Sequence, residues 1–298
     1  MTVGASDTIG IAGLGRMGHA MAMRLLDCGF RLNVWNRSTS ATDAVGAAGA
    51  IIADTPKELV EQSSIVITML RDESAVAEVY RGKDGLLGPY AHSRLFIEMS
   101  TIRPQTVKEL HQGARKCGAV MLDAPVSGTV PPARNGKLLA MVGGETDALQ
   151  RATPVLKALC RRIVHAGSAG SGAMLKLVVN LPLAVYWHSL AEALDIGERG
   201  GLDRSLMLDT IEDSSAALAV LGLKKPDLLG QKQAVAFDLA SMHKDLLMII
   251  QTATALGANI SASAAALGAY TAAINEGLGA EDAVAVARPR NRSTKESK

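Results

Sequence analysis

The sequence predicts an α/β chain: an N-terminal doubly wound, mostly parallel sheet, then an all-α C-terminal part reached through one long helix. Three observations predict this. Short β-like runs alternate with helical patterns from Thr8 to about Ala166. No convincing strand follows Gly167. The stretch GAMLKLVVNLPLAVYWHSLAEAL, residues 172–194, reads as a helix that is apolar nearly all round. In chain order the strands are TIGIAGL, RLNVW, SIVITML, RLFIEMS, AVMLDAP, KLLAMVG and RRIVHAG. Each is short, rich in Ile, Val and Leu, and bounded by turn formers. Between them RMGHAMAMRLLDCG, AVAEVYRG, PQTVKELHQGARKCG and ETDALQRATPVLKALC carry helical spacing. Met17, Met21 and Met23 fall at near-helical intervals and serve as packing against the sheet. Strand–helix–strand units of this kind close through crossovers into a parallel sheet. At 298 residues the chain is long enough for two cores. We place the sheet domain at residues 1–168 and the helical domain at 169–298.

Composition excludes several functions. The formal net charge is +2, so nothing calls for nucleic acid or an anionic membrane as partner. Three scattered cysteines, Cys28, Cys117 and Cys160, form no disulfide framework, and no Cys/His pair has metal-ligand spacing, so no metal site is expected and a reducing cytoplasm is the default. The N-terminus lacks the pattern of a signal peptide. No run is expected to be both long enough and charge-free enough to span a bilayer; the helix around Lys176 comes nearest. The basic tail RPRNRSTKESK reads as fraying in solvent.

The first strand runs directly into GLGRMG and then a helix, placing G-x-G-x-x-G on Gly13, Gly15 and Gly18. In that strand-turn-helix setting the first glycine makes the tight turn, the second lets a pyrophosphate approach the backbone, and the third permits close helix–strand packing. The phosphates rest on the helix N-terminus, whose free N–H groups favour anions. Leu14, Arg16 and Met17 complete the cofactor loop of this Rossmann fingerprint. The second strand ends in VWNRS, with Asn36, Arg37 and Ser38 where an NAD site usually carries an acid for the ribose 2′-hydroxyl. Arg37 suits a 2′-phosphate, which a carboxylate would repel, so the expected cofactor is NADPH. The plainer alternative makes Arg37 a solvated loop residue.

Lys176 lies inside the apolar helix, with Asn180 one turn later on the same face. A lysine in such a place is unfavourable unless paired or working. Before it, HAGSAGSGA is rich in glycine and serine, which allows another segment or a cofactor to come close. At this point the chain resembles the β-hydroxyacid dehydrogenase family, the 3-hydroxyisobutyrate dehydrogenase-like group. Four motifs carry the resemblance: GLGRMGHAMAMRL, DAPVSGTVPPARNGKL at 123–138, GSGAMLKLVVN at 170–180 and KDL at 244–246. Within the group it looks most like the glyoxylate/succinic semialdehyde reductase branch, by SGT at 127–129, Pro132, Ala133, Gly136, Phe237 and the NRS loop.

The resemblance implies roles. Lys176 corresponds to the proton donor and Asn180 to its helper. Ser127, Gly128 and Thr129 correspond to the loop that holds a substrate carboxylate, and Phe237 and Asp245 to substrate-side positions. Met69, Leu70 and Thr101 correspond to positions beside the nicotinamide ribose, and Lys244 to a cofactor contact. The chemistry agrees: hydride addition to an aldehyde creates an alkoxide, which an ammonium stabilises and protonates, and partial desolvation tunes a lysine toward that task. The expectation is an NADPH-dependent reductase of small carboxylate-bearing aldehydes. Alternatives are an imine reductase, a 3-hydroxyisobutyrate-type dehydrogenase, or a non-catalytic dinucleotide-binding protein. Retention of Lys176 disfavours the imine reading. The apolar helix makes a homodimer or higher homo-oligomer the expected assembly. Pro182 should remove the hydrogen bond to Val178 and kink the helix. Trp187 either walls the pocket together with His188 or, more plainly, belongs to the core.

Overall fold

A computed structural model of the chain describes residues 8–289. The first seven residues and the basic tail from residue 290 onward, which the sequence reads as fraying, lie outside the described residues. The chain divides into two compact units, Met1–Leu177 and Val178–Lys298.

The first unit is the expected doubly wound sheet. Its strands are β1 (Thr8–Ala12), β2 (Arg31–Trp35), β3 (Ile51–Ile52), β4 (Ile65–Thr68), β5 (Leu95–Glu98), β6 (Val120–Asp123), β7 (Val126–Ser127), β8 (Leu138–Gly143) and β9 (Cys160–Gly167). Their order is β3-β2-β1-β4-β5-β6-β8-β7, with β9 beside β8. All pairs from β3 to β6 are parallel, β8 is antiparallel to β6 and β7, and β9 is parallel to β8. The seven expected strands are all present. β3 and β7 are additional, each two residues long and too short to show a period.

Alternation along the central strands sorts side chains to the two faces. Ile9, Ile11, Ile65, Ile67, Leu95 and Ile97 share one core with Met21 and Leu25 of the helix Arg16–Asp27 and Val155 and Leu156 of the helix Thr146–Leu159. Val66 and Phe96 point the other way, into a core with Val76, Val79 and Tyr80 of the helix Glu73–Arg81 and Val107 and Leu110 of the helix Pro104–Lys116. Sequence order reverses direction between β1 and β4, and the crevice outside the carboxyl ends of the strands at such a point is where ligands bind in this architecture.

The division of the units falls inside the long helix, Ser171–Arg199, beyond the 168/169 boundary read from the sequence. Its first turn hydrogen-bonds to Asp123 of β6, which ties it to the sheet unit. The helix runs on through Pro182. It is long and apolar enough to cross a membrane by length and composition, which corrects the expectation that no run would be. The reason is dilution: a lone Lys176 hardly lowers the mean hydropathy of a segment otherwise built of Ala, Leu and Val.

The second unit is helical, with Arg204–Glu212, Leu221–Leu228, Leu239–Ala255 and Ser261–Asn275 following the long helix. Buried acids cross-link it. Asp282 takes the Lys224 ammonium at 2.5 Å and the Ala236 N–H at 2.9 Å, and Asp227 takes Arg288 at 2.5 Å. Trp187 is buried and stacks edge-on with Tyr186, while His188 lies 3.5 Å from Glu192, so the plainer reading of Trp187 holds.

Candidate active site

The glycine turn separates its three glycines by what surrounds them. Gly13 has φ +99°, and a Cβ there would lie 2.4 Å from the Met69 carbonyl oxygen. A Cβ on Gly18 would lie 1.9 Å from the Gly13 carbonyl oxygen. Both glycines are therefore demanded by the fold. A Cβ on Gly15 would meet no protein atom within 4 Å. Gly15 is the N-cap of the helix Arg16–Asp27 and has no side chain with which to cap it. Open space at the positive end of a helix is the cradle that a dinucleotide's pyrophosphate fits.

Asn36 is held in place by two hydrogen bonds. Its Oδ1 accepts the Leu14 N–H at 2.9 Å and its Nδ2 donates to the Ser38 carbonyl at 2.9 Å, tying the glycine turn to the loop after β2. Ser38 and Ser40 share a hydroxyl–hydroxyl bond of 2.9 Å. Arg37 extends into solvent, with its guanidinium 4.0 Å from Glu78, a contact too long and exposed to hold it.

The next two strand ends are locked together from beneath. Glu98, fully buried at the end of β5, accepts the Thr68 hydroxyl at 2.6 Å and the Ser100 N–H at 2.7 Å. Tyr80 stands 2.9 Å from the Thr68 oxygen, and Ser100 Oγ accepts the Leu70 N–H at 2.8 Å. Burial pushes the Glu98 carboxyl above its ordinary range, opposed by the hydrogen bonds from Ser100, Thr68 and Tyr80. On the outside Glu73 receives the Arg103 guanidinium at 2.6 Å and the Thr106 hydroxyl at 2.7 Å. Met69, Leu70 and the half-buried Thr101 are thus held on two braced loops along the same edge as the glycine turn.

Ser127 lies in β7 opposite Leu139. Gly128 has φ +126°, which favours glycine, and Thr129 precedes the short helix Val130–Arg134 without its side chain capping that helix. The Gly128 turn presents Ser127 and Thr129 from a loop bounded by Pro131 and Pro132. The glycines before Lys176 serve the chain itself: a Cβ on Gly172 would lie 2.3 Å from the Met141 carbonyl oxygen. Lys176 is half-buried and Asn180 buried, one turn apart on the continuous helix.

Within the helical unit Asn180 Nδ2 donates to Asp245 Oδ2 at 2.8 Å, and the Lys244 ammonium lies 2.9 Å from Asp245 Oδ1. Asp245 is 1 % exposed and meets both of these side chains. Phe237 is half-buried, its carbonyl accepting the Ala283 N–H at 2.8 Å. The structure therefore brings together 13–18, 36–38, 69–70 and 101 along one sheet edge, and Asn180, Lys244 and Asp245 in one cluster. Sequence reasoning passed over Glu98 and Asp123. The available signal was an acid closing an otherwise apolar buried strand, in LFIE and VMLD alike.

Two family profiles match nearly the whole chain: the NAD binding domain of 6-phosphogluconate dehydrogenase over residues 8–167, and the NAD-binding region of NADP-dependent 3-hydroxyisobutyrate dehydrogenase over residues 170–290. The chain is 36% identical over 281 residues to an NAD-dependent L-serine dehydrogenase of Pseudomonas aeruginosa, covering 92% of this chain and 94% of that one. A 3-hydroxyisobutyrate dehydrogenase of the same organism is 36% identical, covering 91% and 95%. Glyoxylate/succinic semialdehyde reductase 1 of Arabidopsis thaliana is 30% identical, covering 93% and 96%. The solved structure of Mycobacterium tuberculosis 3-hydroxyisobutyrate dehydrogenase with L-serine superposes with a TM-score of 0.82 at 29% identity, covering 94% and 98%. With the glycine turn, the braced strand ends and the Lys176–Asn180 helix in place, the chain belongs to the 3-hydroxyisobutyrate dehydrogenase-like family of NAD(P)-dependent hydroxyacid dehydrogenases.

Proposed function

We propose that the protein uses NADPH to reduce small aldehydes that carry a carboxylate, of the succinic semialdehyde or glyoxylate type, with Lys176 as the proton donor. The observation that carries this reading is a half-buried lysine one turn from a buried, hydrogen-bonded asparagine on a single helix. When bound, the nicotinamide supplies a hydride to the carbonyl carbon. The chain's own residues do the rest. Ser127, Gly128 and Thr129 hold the carboxylate through N–H and hydroxyl donors. Lys176 gives its proton to the carbonyl oxygen as negative charge develops there, leaving a hydroxyacid and a neutral amine that solvent reprotonates. Asn180, fixed by Asp245, orients the lysine. Arg37 supports NADPH over NADH, being an exposed guanidinium where an acid would serve NAD. The long helix, of whose most apolar stretch only a third is buried, supports a homodimer or larger assembly; the near-neutral charge supports a protein without nucleic-acid or membrane partners, and the three scattered cysteines support a cytoplasmic one.

A second reading, oxidation of a 3-hydroxyacid such as 3-hydroxyisobutyrate or L-serine, is favoured by the 36% identity to relatives bearing those names. One panel separates the two. Purified protein is assayed with succinic semialdehyde and glyoxylate in the reducing direction, and with the two hydroxyacids in the oxidising direction, with both cofactors, beside Lys176→Ala and Arg37→Ala. The first reading expects the highest kcat/KM with an aldehyde and NADPH, a kcat loss on the order of 10²–10⁴-fold in Lys176→Ala, and about tenfold weaker NADPH use in Arg37→Ala. Preference for a hydroxyacid and NAD would overturn it in favour of the second.

A further inference from the structure

We propose that Asp123 is a positioning residue for Lys176, fixing the lysine's helix against the loop that takes the substrate carboxylate; the inference rests on the reductase reading above. The residue before the long helix, Gly170, has φ +87° and no side chain to cap it. The Ser171 N–H bonds back to the Ser168 carbonyl at 3.0 Å, while the Gly170 and Ala173 N–H groups take a partner from a neighbouring strand. Asp123, fully buried at the carboxyl end of β6, supplies it. Its Oδ1 accepts the Gly170 N–H at 2.9 Å and its Oδ2 accepts the Ala173 N–H at 2.8 Å. The carboxylate sits at the positive end of the helix dipole, where an anion is stabilised.

Two glycines make the room for this contact. A Cβ on Gly172 would lie 2.3 Å from the Met141 carbonyl oxygen, and one on Gly143 would lie 2.6 Å from Asp123 Oδ1. The imidazole of His111 stands 3.5 Å from the same Oδ1, beyond a good hydrogen bond, so the close partners of Asp123 are the two helix N–H groups. Lys176 follows Ala173 by three residues, less than one turn, so a slip of the first turn moves the ammonium by a comparable distance. The same end of β6 continues through Ala124 and Pro125 into Ser127. That segment is pinned on both sides, by Ala124 N–H to the Glu98 carbonyl at 2.7 Å and by Met141 N–H to the Pro125 carbonyl at 3.0 Å. One rigid strand end therefore holds both the proton donor's helix and the carboxylate loop. Asp123 is sealed from solvent and acts through Lys176 alone.

Two variants test this. Asp123→Asn keeps the volume and one acceptor oxygen but turns an NH2 against a helix N–H. Gly143→Ala leaves Asp123 in place and displaces its carboxylate. The expected result is an NADPH Kd, read from nicotinamide fluorescence, within about twofold of wild type, and a kcat on the aldehyde lower by on the order of ten- to a hundredfold. The solvent deuterium isotope effect on kcat should rise as proton transfer from a misplaced Lys176 becomes slow. Either variant alone decides. A folded variant with wild-type kcat and isotope effect, whatever its melting temperature, overturns the inference. Failure of the reductase reading looks different: wild type and Lys176→Ala would turn over alike, irrespective of Asp123.

Discussion

Two glycine-rich turns in the sheet unit lead into helices, and they treat the helix N-terminus in opposite ways. Residues 13–18 crowd Gly13 and Gly18 against backbone, yet leave Gly15 facing open space at the start of a helix that it cannot cap with a side chain. Residues 166–173 lead to a helix whose first turn is filled by the protein's own carboxylate, Asp123, with Gly172 pressed on Met141. Each carries three glycines. What differs is who supplies the anion. In the second an acid from a neighbouring strand does, and on the function proposed above the cofactor's phosphates do so in the first, so that one turn binds and the other clamps.

That contrast can be strained by loosening the frame around the first turn while leaving the second alone. The largest effect is expected from Thr68→Val, which removes the hydroxyl between Glu98 and Tyr80 and leaves both buried groups short of a partner. Leaving a buried polar group without its partner costs about 1–3 kcal/mol, seen as a lower midpoint in urea. Slackening of loops 69–70 and 100–101 should also raise the cofactor KM more than it lowers kcat. An unchanged cofactor KM would show that the brace does not bear on the first turn.

A smaller effect concerns acid stability. Burial raises the Glu73 carboxyl, but the hydrogen bonds from Arg103 and Thr106 outweigh it and hold the group below its ordinary value. A depressed folded value means that its stabilisation is present above the unfolded pKa and is lost as pH falls through the folded one. For a pair this exposed the contribution is under about 1 kcal/mol. Melting temperatures recorded between about pH 3 and 7 should therefore fall less steeply on the acid side in Glu73→Gln than in wild type. Parallel curves would refute the assignment.

Much of this was legible in the sequence because local rules sufficed. Strand TIGIA, the turn GLGRMG and its helix are contiguous, so spacing alone specified the glycine cradle, and seven strands announced themselves by apolar runs. Ile51–Ile52 and Val126–Ser127 did not, because two residues carry no period. The Lys176–Asn180 pair was legible as i and i+4, but the bond of Asn180 to Asp245 joins residues 65 apart and leaves no local trace. Asn36 was placed correctly at the end of β2, yet its engagement with Leu14 depends on strand pairing. The glycines before Lys176 left two uses open, a cofactor or a packed segment, and only Met141 and Asp123 settle which.

The contrast between the two turns meets its most direct test in a crossed pair, Gly15→Ala and Gly172→Ala, each measured for NADPH Kd and melting temperature. Gly15→Ala should fold as wild type and bind NADPH about tenfold or more weakly, since its methyl meets cofactor and not protein. Gly172→Ala should lose stability by about 1–3 kcal/mol while the folded fraction keeps its NADPH Kd. The opposite pattern, with Gly15→Ala unstable and Gly172→Ala impaired in binding, would contradict the division between a turn that binds and a turn that clamps.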